Sequence, residues 1–309
     1  MKIMITGGAG FVGSHLAEFL LKKNHELTII TRKQTQNLSN IKRDITIERF
    51  DISDFNRVNR SIIKNKPEII MHLAGNTSHS KSFEQPLMDI NSNVKSTMNI
   101  LESLRSSLPN CKFILGSTFV VIGKPKKLPV DENSQCIPTT LYGVNKLSSE
   151  FYSKIYNNVY GLDTSIFRIT NSFGPREQII PKKNAVNYLI YKAFNGEKIT
   201  IYNQGKFYRD LIYISDVVNG INKIITKGKP GELYWISSFK KTWFYELGNW
   251  LEKLTDAKIE YVETPSYTKK TDVGNFIANN RKLSQLNWKP KVSVEYGIKK
   301  TLQFFQENY

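Results

Sequence analysis

A glycine-rich turn near the start of the chain constrains the fold more than any other feature of the sequence. Residues 2–6 form a short apolar strand, and Gly7, Gly10 and Gly13 follow it at intervals of three before a helix begins. Glycines at this spacing permit a tight turn, close approach of the backbone to a pyrophosphate, and close packing of the helix on the strand. The N–H groups at the start of that helix favour phosphate binding. The turn therefore predicts a dinucleotide site that contains Gly7, Gly10, Phe11, Val12 and Gly13.

Strand and helix patterns alternate regularly over the first 170 residues. Patterns typical of buried strands occupy residues 2–6, 26–31, 45–50, 69–73, 112–115 and 165–169. Patterns typical of helices occupy residues 13–24, 55–65, 89–108 and 142–160. This alternation predicts an α/β fold with a doubly wound parallel sheet, the Rossmann arrangement. Ligands of such sheets bind beyond the carboxyl ends of the strands, so we expect the functional residues to follow strands.

The character of the sequence changes after residue 170. Segments become shorter, and turn signals such as Asn195-Gly196 and Pro230-Gly231 become frequent. We therefore predict a dinucleotide-binding domain over residues 1–170, joined by residues from about 210 to 238. Residues 171–209 and 239–309 are predicted to form a smaller C-terminal lobe that binds the substrate.

Composition restricts the compartment and the partners of this chain of 309 residues. The formal net charge is +17, but the lysines are scattered, which indicates a solvated surface, and no nucleic acid partner is expected. Cys111 and Cys136 are too few for a disulfide framework and are not spaced as metal ligands, so no metal site is predicted. The sequence shows neither a membrane-spanning apolar run nor a signal-peptide pattern, so a cytoplasmic location is predicted.

The end of the second strand bears on the choice of cofactor. NAD sites of this type usually place an acidic residue there, which binds the ribose hydroxyls. This chain has Thr31, Arg32 and Lys33 instead, and a guanidinium group suits a 2′-phosphate. We therefore predict an NAD(P) cofactor with NADP(H) favoured over NAD(H), in contact with Thr31 and Arg32. The alternative is that the two basic side chains are simply solvated.

The ends of the third and fourth strands supply further candidate contacts to the cofactor. Asp51 and Ile52 follow the third strand, where a carboxylate suits the adenine amino group and an apolar side chain packs beside the ring. Asp51 has an equal alternative as a helix cap, a role also open to its neighbours. The small residues of the segment Leu73-Ala74-Gly75 let the chain pass close to the cofactor, whereas His72 is predicted to be packed in the core.

Three residues form the predicted catalytic group. Thr118 follows the fifth strand, and Tyr142 and Lys146 lie four residues apart, on one face of a helix. A free tyrosine has a pKa near 10, and a nearby ammonium group is expected to lower the pKa by favouring the phenolate. Tyr142 is then able to exchange a proton with a hydroxyl or carbonyl oxygen while hydride moves at carbon, with Thr118 bonded to the same oxygen. Lys146 would also hold the nicotinamide ribose.

Taken together, these motifs resemble those of the extended short-chain dehydrogenase/reductases, specifically the NDP-sugar epimerase/dehydratase family. The resemblance covers essentially the whole chain. It is carried by residues 6–15, 72–75, 117–118 with Gly123, 142–146, 167–175, 209–217 and 286–290. It implies an enzyme that acts on a nucleotide-diphosphate sugar. It also implies a homodimer formed by the helices at residues 89–108 and 142–160.

The resemblance implies roles for residues that spacing alone does not assign. Asn171 would contact the sugar nucleotide, and Arg209 would bind its diphosphate, for which a guanidinium fork is suited. Lys269 would stand where many members place a second phosphate-binding arginine. For Arg209 the alternative is an ion pair with Asp210 or Asp216.

One further role and one departure follow from the same resemblance. Asn93 would lie between cofactor and substrate. Dehydratases of the family resemble one another in a Thr-Asp-Glu segment, whereas Thr118 is followed here by Phe119 and Val120, which disfavours dehydration.

Three functions remain open from the sequence. The first is an epimerase that oxidises a sugar hydroxyl, usually at C4, and returns the hydride to the other face. The second is an NADPH-dependent reductase of a nucleotide keto-sugar, which Arg32 favours. The third is a non-catalytic dinucleotide- or nucleic-acid-binding protein on the same fold, because fold alone does not prove activity. The intact group of Thr118, Tyr142 and Lys146 favours an enzyme, and we lean to the epimerase.

Overall fold

A computed structural model describes residues 1–32, 35–180, 184–264 and 272–308. Thirteen strands are present in these ranges. In chain order they are β1 (Lys2–Thr6), β2 (Glu26–Thr31), β3 (Thr46–Arg49), β4 (Ile69–His72), β5 (Lys112–Thr118), β6 (Thr164–Ile169), β7 (Asn171–Phe173), β8 (Ile199–Tyr202), β9 (Tyr208–Arg209), β10 (Leu211–Tyr213), β11 (Leu233–Ile236), β12 (Thr242–Trp243) and β13 (Ile259–Val262).

Eleven α-helices accompany these strands within the described ranges. They are α1 (Phe11–Leu21), α2 (Phe55–Asn65), α3 (His79–Glu84), α4 (Pro86–Ile90), α5 (Ser96–Ser107), α6 (Leu141–Tyr160), α7 (Ala185–Phe194), α8 (Ile214–Lys227), α9 (Phe244–Leu254), α10 (Arg281–Ser284) and α11 (Val294–Asn308). Short 3₁₀ segments occupy Gln36–Ile41, Phe119–Ile122 and Asn203–Gly205.

Seven strands form one parallel sheet in the order β11-β6-β5-β4-β1-β2-β3. The chain runs outward from β1 to β3, then returns to β4 on the other side of β1 and continues to β6. The strand order therefore reverses between β1 and β4, and a crevice opens at the carboxyl ends of these two strands. This architecture confirms the predicted doubly wound α/β fold.

Alternation of side chains along the strands divides the main core into two layers. Ile3 and Ile5 of β1 belong to one buried cluster, together with residues of α1 and α8. Met4, between them, belongs to a second cluster with residues of α2, α5 and α6. Successive side chains of a strand point to opposite faces, so each face of the sheet receives its own layer of helices.

The later part of the chain builds a third apolar cluster outside the main sheet. It contains buried residues of α7, β8, α9 and α11. The described residues of this part form three two-stranded sheets, which pair β7 with β10, β9 with β12, and β8 with β13. By contrast, β11 leaves this region and pairs with β6 at the edge of the main sheet.

The helix predicted over residues 89–108 differs most from the structure. Helical backbone begins earlier, at Pro86, which suits the first position of a helix because proline lacks an N–H group. A π-helical turn over Asn91–Lys95 then separates α4 from α5. Such turns occur frequently at functional sites. None of the helices in the described ranges is both long and apolar enough to span a membrane.

Candidate active site

A cleft of about 1400 Å³ lies where the loops after the sheet strands face the later part of the chain. Nearly all of the residues predicted for the site line it. They are Gly7, Gly10, Phe11, Val12, Gly13, Thr31, Arg32, Ile52, Leu73, Ala74, Gly75, Asn93, Thr118, Tyr142, Lys146, Asn171 and Arg209. Lys269 and Lys33 lie outside the described residues.

The glycine turn has the geometry that a dinucleotide requires. Gly7 has a φ of +71°, and a Cβ atom there would stand 2.7 Å from the backbone nitrogen of Ala74. A Cβ atom at Gly13 would collide with the carbonyl oxygen of Gly7. Helix α1 starts at Phe11, and Gly10 has no side chain to cap it, so the N–H groups of its first turn are left for a ligand. The turn therefore fits a bound pyrophosphate.

At the end of β2, Arg32 forms an ion pair that the sequence did not predict. The Nη1 atom of Arg32 lies 2.8 Å from Oδ2 of Asp51, and both side chains are about half exposed. The other carboxylate oxygen of Asp51 accepts a hydrogen bond from the backbone nitrogen of Ser53. Asp51 is absent from the described residues that line the cleft, and its contact with adenine stays a prediction. The alternative role as helix cap belongs to Asp54, which accepts from the backbone of Arg57.

The segment after β4 packs tightly beneath the cleft. His72 is fully buried, and its ring nitrogens contact the hydroxyl groups of Thr6 and Thr97 at 2.7 and 3.1 Å. Burial, followed by the charge of Lys146, lowers the pKa of His72 to about 3, so the imidazole is neutral at physiological pH. His72 is therefore a packed core residue, as predicted. A Cβ atom at Gly75 would stand 2.3 Å from Oδ1 of Asn93, so a larger residue there would require the side chain of Asn93 to move.

Asn93 lies in the π-helical turn, lines the cleft and carries an acceptor that the described residues do not use. Its Nδ2 atom donates to the carbonyl oxygens of Asn76 and Asp89, each at 3.3 Å. Its Oδ1 atom is buried and has no hydrogen-bond partner among the described residues. The backbone oxygen of Asn93 accepts from Thr97 and Ser149 at 2.6 and 3.0 Å, which fixes the turn. A buried acceptor without a partner is costly, so this atom favours a ligand that donates to it.

Thr118, Tyr142 and Lys146 all line the cleft. Thr118 ends β5, and its hydroxyl accepts a hydrogen bond from the backbone nitrogen of Val120 at 3.3 Å and acts on the pKa of the neighbouring Tyr142 phenol. Helix α6 starts at Leu141 because the hydroxyl of Thr140 caps it, accepting from the backbone nitrogen of Gly143 at 3.1 Å. The cap fixes Tyr142 in the first turn, and Lys146 follows one turn later. Both side chains are buried, at 6% and 5% exposure.

The electrostatics of this group differ from the sequence expectation. Burial raises the pKa of Tyr142 above its ordinary value, the hydroxyl of Thr118 opposes the rise, and the charge of Asp89 adds to it. The expected lowering by Lys146 is therefore wrong for the protein alone, because loss of hydration disfavours the phenolate more than its neighbours favour it. Burial also lowers the pKa of Lys146 to about 8, against the opposing charges of Glu150 and Asp89.

A buried ion pair supports the catalytic group from behind. Arg168 of β6 donates to Glu150 of α6 through Nε at 2.9 Å and through Nη2 at 2.7 Å. The hydroxyl of Ser117, the residue before Thr118, donates to the same carboxylate. Glu150 is one helical turn beyond Lys146, so this pair ties the end of β5 to the face of α6 that carries the catalytic residues.

The later part of the chain contributes Asn171 and Arg209 to the cleft. The Oδ1 atom of Asn171 is buried without a hydrogen-bond partner among the described residues. Arg209 forms an ion pair with Asp272 at 2.5 Å, so the alternative pairing with Asp210 or Asp216 is wrong. Asp210 is occupied elsewhere, since its carboxylate accepts from Ser238 and from the backbone of Ala278, among others.

Sequence reasoning missed four residues around Tyr142. Glu150 was detectable, since it continues the i, i+4 face of Tyr142 and Lys146, and Arg168 is a charged residue inside an apolar strand. His79 and Asp89 carried no comparable signal. Asp89 is buried, and its two carboxylate oxygens each accept a hydrogen bond of 2.6 Å, one from Asn76 and one from Asn145.

The fold and the site define an extended short-chain dehydrogenase/reductase. Within this class the chain belongs to the GDP-mannose 4,6 dehydratase family, whose model matches residues 4–301. The family resemblance seen in the motifs is thereby confirmed.

Individual relatives cover the chain almost completely. The chain is 29% identical over 337 residues to CDP-paratose 2-epimerase of Salmonella typhi, covering 97% of this chain and 98% of the relative. The structure of UDP-glucose 4-epimerase from Thermotoga maritima, with UDP-glucose, matches with a TM-score of 0.92 and 28% identity, covering 99% of each chain. UDP-glucuronic acid 4-epimerase from Bacillus cereus, in complex with UDP-glucuronic acid and NAD, matches with a TM-score of 0.88 and 25% identity over 100% of both chains.

Proposed function

We propose that the protein is a nucleotide-sugar epimerase that acts through a transient keto-sugar, with C4 as the carbon that reacts. The observation that carries this proposal is the convergence of Thr118, Tyr142 and Lys146 in one cleft with the dinucleotide turn. Relatives that match over the whole chain include epimerases of nucleotide sugars, which supports the same reaction class.

The chain's own residues supply the proton chemistry. Tyr142 takes the proton of the sugar hydroxyl as the carbonyl forms, and gives it back when the hydroxyl is restored. Thr118 donates a hydrogen bond to the same oxygen and so stabilises the charge that develops there. Lys146, protonated below its pKa of about 8, favours the phenolate form of Tyr142. A bound nicotinamide ring supplies the hydride acceptor and donor, together with the positive charge of its oxidised form.

Binding of the dinucleotide is assigned to the loops after the strands. Gly7, Gly10 and the first turn of α1, with Phe11, Val12 and Gly13, hold the pyrophosphate. Ile52, Leu73, Ala74 and Gly75 line the adjoining part of the cleft. We assign Lys146 and Asn93, whose buried Oδ1 atom has no hydrogen-bond partner among the described residues, to polar groups of the cofactor.

For the identity of the dinucleotide, we propose that Arg32 favours NADP(H). Its guanidinium lines the cleft at the end of β2, and the ion pair with Asp51 is exposed, so exchanging that partner for a 2′-phosphate has a small cost. Thr31 lies beside it. The relative from Bacillus cereus binds NAD, so the preference of this chain is a separate question from that of its family.

We assign the sugar nucleotide to the region of the cleft that is lined by Asn171 and Arg209. Asn171 offers its free acceptor, and Arg209 exchanges Asp272 for the diphosphate. We also propose Lys269 as a phosphate contact, as the family resemblance implies. We propose that residues 171–209 and 239–309 form the substrate-binding lobe, which the separate cluster of α7, β8, α9 and α11 supports. The partial return of the chain to the main sheet through β11 supports the inclusion of residues from about 210 to 238 in the dinucleotide domain.

A second candidate is the NADPH-dependent reductase of a nucleotide keto-sugar. Arg32 is the observation that favours it, because a cofactor consumed in each turnover must be exchanged and NADPH is the usual reductant. Dehydration is disfavoured, since Phe119 and Val120 place apolar groups directly after Thr118.

We also propose the homodimer predicted from residues 89–108 and 142–160, with the first of these helical regions extended at its start to Pro86 by α4. Leu87 and Met88 on α4 are 75% and 56% exposed, and Phe151 and Ile155 on α6 are 56% and 48% exposed. Exposed apolar residues at i, i+4 spacing favour helix packing between subunits. We expect Ile155→Glu to give a monomer in light scattering, and Lys154→Glu, one residue away, to leave the dimer intact.

We also propose a cytoplasmic location. The free cysteines Cys111 and Cys136 agree with it, because reduced thiols persist in that compartment.

The experiment that tests the proposal is to denature freshly purified protein and identify any released dinucleotide by mass. Stoichiometric NADP(H) supports both the bound, recycled cofactor of an epimerase and the assignment of Arg32. Stoichiometric NAD(H) supports the epimerase and contradicts that assignment. A protein that is empty but then binds NADPH favours the reductase.

A further inference from the structure

His79 occupies a place next to the catalytic tyrosine that the proposed chemistry does not use. It is the first residue of α3, whose start is capped by Ser78, and it lines the central cleft. Its ring lies against the ring of Tyr142, with centroids 5.5 Å apart and planes tilted by 43°. The imidazole therefore borders the space in which a sugar must lie to reach Tyr142.

The polar atoms of this imidazole are unused by the protein. Neither ring nitrogen of His79 has a hydrogen-bond partner among the described residues, in contrast to His72, whose two nitrogens are both paired. A partly buried polar ring is stabilised when a ligand completes its hydrogen bonds. Because His79 lines the cleft, a ligand bound there is able to supply these hydrogen bonds.

The charges around His79 restrict the chemical class of that ligand. Burial lowers the pKa of His79, and the carboxylate of Asp89 opposes this. The ring is therefore neutral near pH 7 and offers one donor and one acceptor, which is the pattern of a hydroxyl group. Asp89 also acts on Tyr142 and on Lys146, and its carboxylate is held by the amides of Asn76 and Asn145, with no salt bridge of its own among the described residues. A second carboxylate placed next to His79 would be repelled by Asp89, and the opposing attraction of Lys146 is already shared between Asp89 and Glu150.

We propose that His79 is a substrate-contacting residue that hydrogen-bonds a hydroxyl of the reacting sugar and selects an uncharged hexose over a hexuronate. The proposal rests on the nucleotide-sugar function proposed above and names the substrate class of the same site. Packing of the ring on Tyr142 alone is the competing role, and it differs in its consequences because it does not need the ring nitrogens.

Two substitutions separate these roles. His79→Phe keeps a ring against Tyr142 and removes both nitrogens, whereas His79→Gln keeps a donor and an acceptor and removes the ring. Lys81→Ala, on the exposed side of the same helix, is the matched control.

The experiment is calorimetric titration of the cofactor-loaded protein. A screen of UDP, dTDP, CDP and GDP first identifies the nucleoside diphosphate that binds. Failure of all four contradicts the proposed function itself, and with it the basis for this inference. The diphosphate that binds is then compared with its glucose and glucuronic acid derivatives in each variant.

We expect the wild-type protein to bind the glucose derivative about 10-fold more tightly than the glucuronate, and His79→Phe to lose about 10-fold for glucose alone. His79→Gln should stay within about 3-fold of wild type, and Lys81→Ala should be unchanged. Equal affinity of His79→Phe and wild type for the glucose derivative would overturn the proposal, as would a preference for glucuronate. If His79→Phe also loses the diphosphate, its fold is damaged and His79→Gln decides: retained affinity supports the contact, and lost affinity contradicts it.

Discussion

Glu150 and Arg168 form a bidentate ion pair that is closed off from solvent, with the side chains 1% and 2% exposed. The pair joins α6 to β6 directly behind Lys146 and also receives the hydroxyl of Ser117. The positions of Thr118 and Lys146 therefore depend on this ion pair. Thr118 is connected to it through the neighbouring Ser117, and Lys146 through helix α6.

Breaking this pair should destabilise the whole domain. Glu150→Gln leaves the guanidinium of Arg168 buried without a neutralising charge, which typically costs about 3 to 5 kcal/mol in the free energy of unfolding. Urea denaturation followed by circular dichroism measures the change. The control is Glu295→Gln, because Glu295 pairs with Lys253 in an exposed ion pair, for which a loss below about 1 kcal/mol is expected. Similar losses in the two variants would contradict the structural role of the buried pair.

Removal of the tyrosine hydroxyl should abolish turnover without harming the fold. Tyr142→Phe deletes the group that exchanges the proton, so kcat is expected to fall by at least about 100-fold. Dinucleotide binding should be nearly unchanged, as measured by fluorescence titration. Tyr160→Phe at the exposed end of the same helix is the control and should retain wild-type turnover. Substantial residual activity in Tyr142→Phe would refute the mechanism.

Replacement of Lys146 should increase stability while turnover is lost. Burial lowers the pKa of Lys146 from 10.5 to about 8. Each pKa unit corresponds to about 1.4 kcal/mol, so Lys146→Met is expected to gain about 3 kcal/mol at pH 7. The folded pKa lies below the unfolded one, so between pH 8 and 10.5 the unfolded chain binds more protons and wild-type stability rises with pH.

The advantage of Lys146→Met should therefore shrink by roughly 2 kcal/mol when urea denaturation is repeated at pH 9.5. Lys299→Met, at an exposed position, should show no such change with pH. A constant advantage at both pH values would mean that the charge of Lys146 is not the source of the instability.

Arg32 should control the discrimination between the two dinucleotides. Arg32→Ala removes a charge-assisted hydrogen bond to the 2′-phosphate, so NADP(H) affinity is expected to fall by about 10-fold or more while NAD(H) affinity changes little. Calorimetric titration with both cofactors measures this, with Arg43→Ala as an exposed control outside the cleft. Equal losses for both cofactors would exclude Arg32 as the reader of the 2′-phosphate.

The sequence predicts the features of this molecule that arise locally along the chain. The glycine turn and the alternation of strands and helices specify the doubly wound sheet, and the spacing of Tyr142 and Lys146 places both side chains on one helical face. The features that the sequence did not predict arise from residues that are distant along the chain and come into contact only in the folded protein. Arg32 meets Asp51 and Glu150 meets Arg168 across different elements, and the raised pKa of Tyr142 reflects burial, which no local pattern measures.

The most direct test of the central claim is proton NMR of the purified protein incubated with a panel of nucleotide hexoses in a trace of cofactor. We predict that one hexose converts to its C4 epimer until the two stereoisomers reach equilibrium, with no net oxidation or reduction of the dinucleotide, and that Tyr142→Phe shows no conversion. Stoichiometric consumption of NADPH with a keto-sugar, and no stereoisomer from any hexose, would contradict the epimerase.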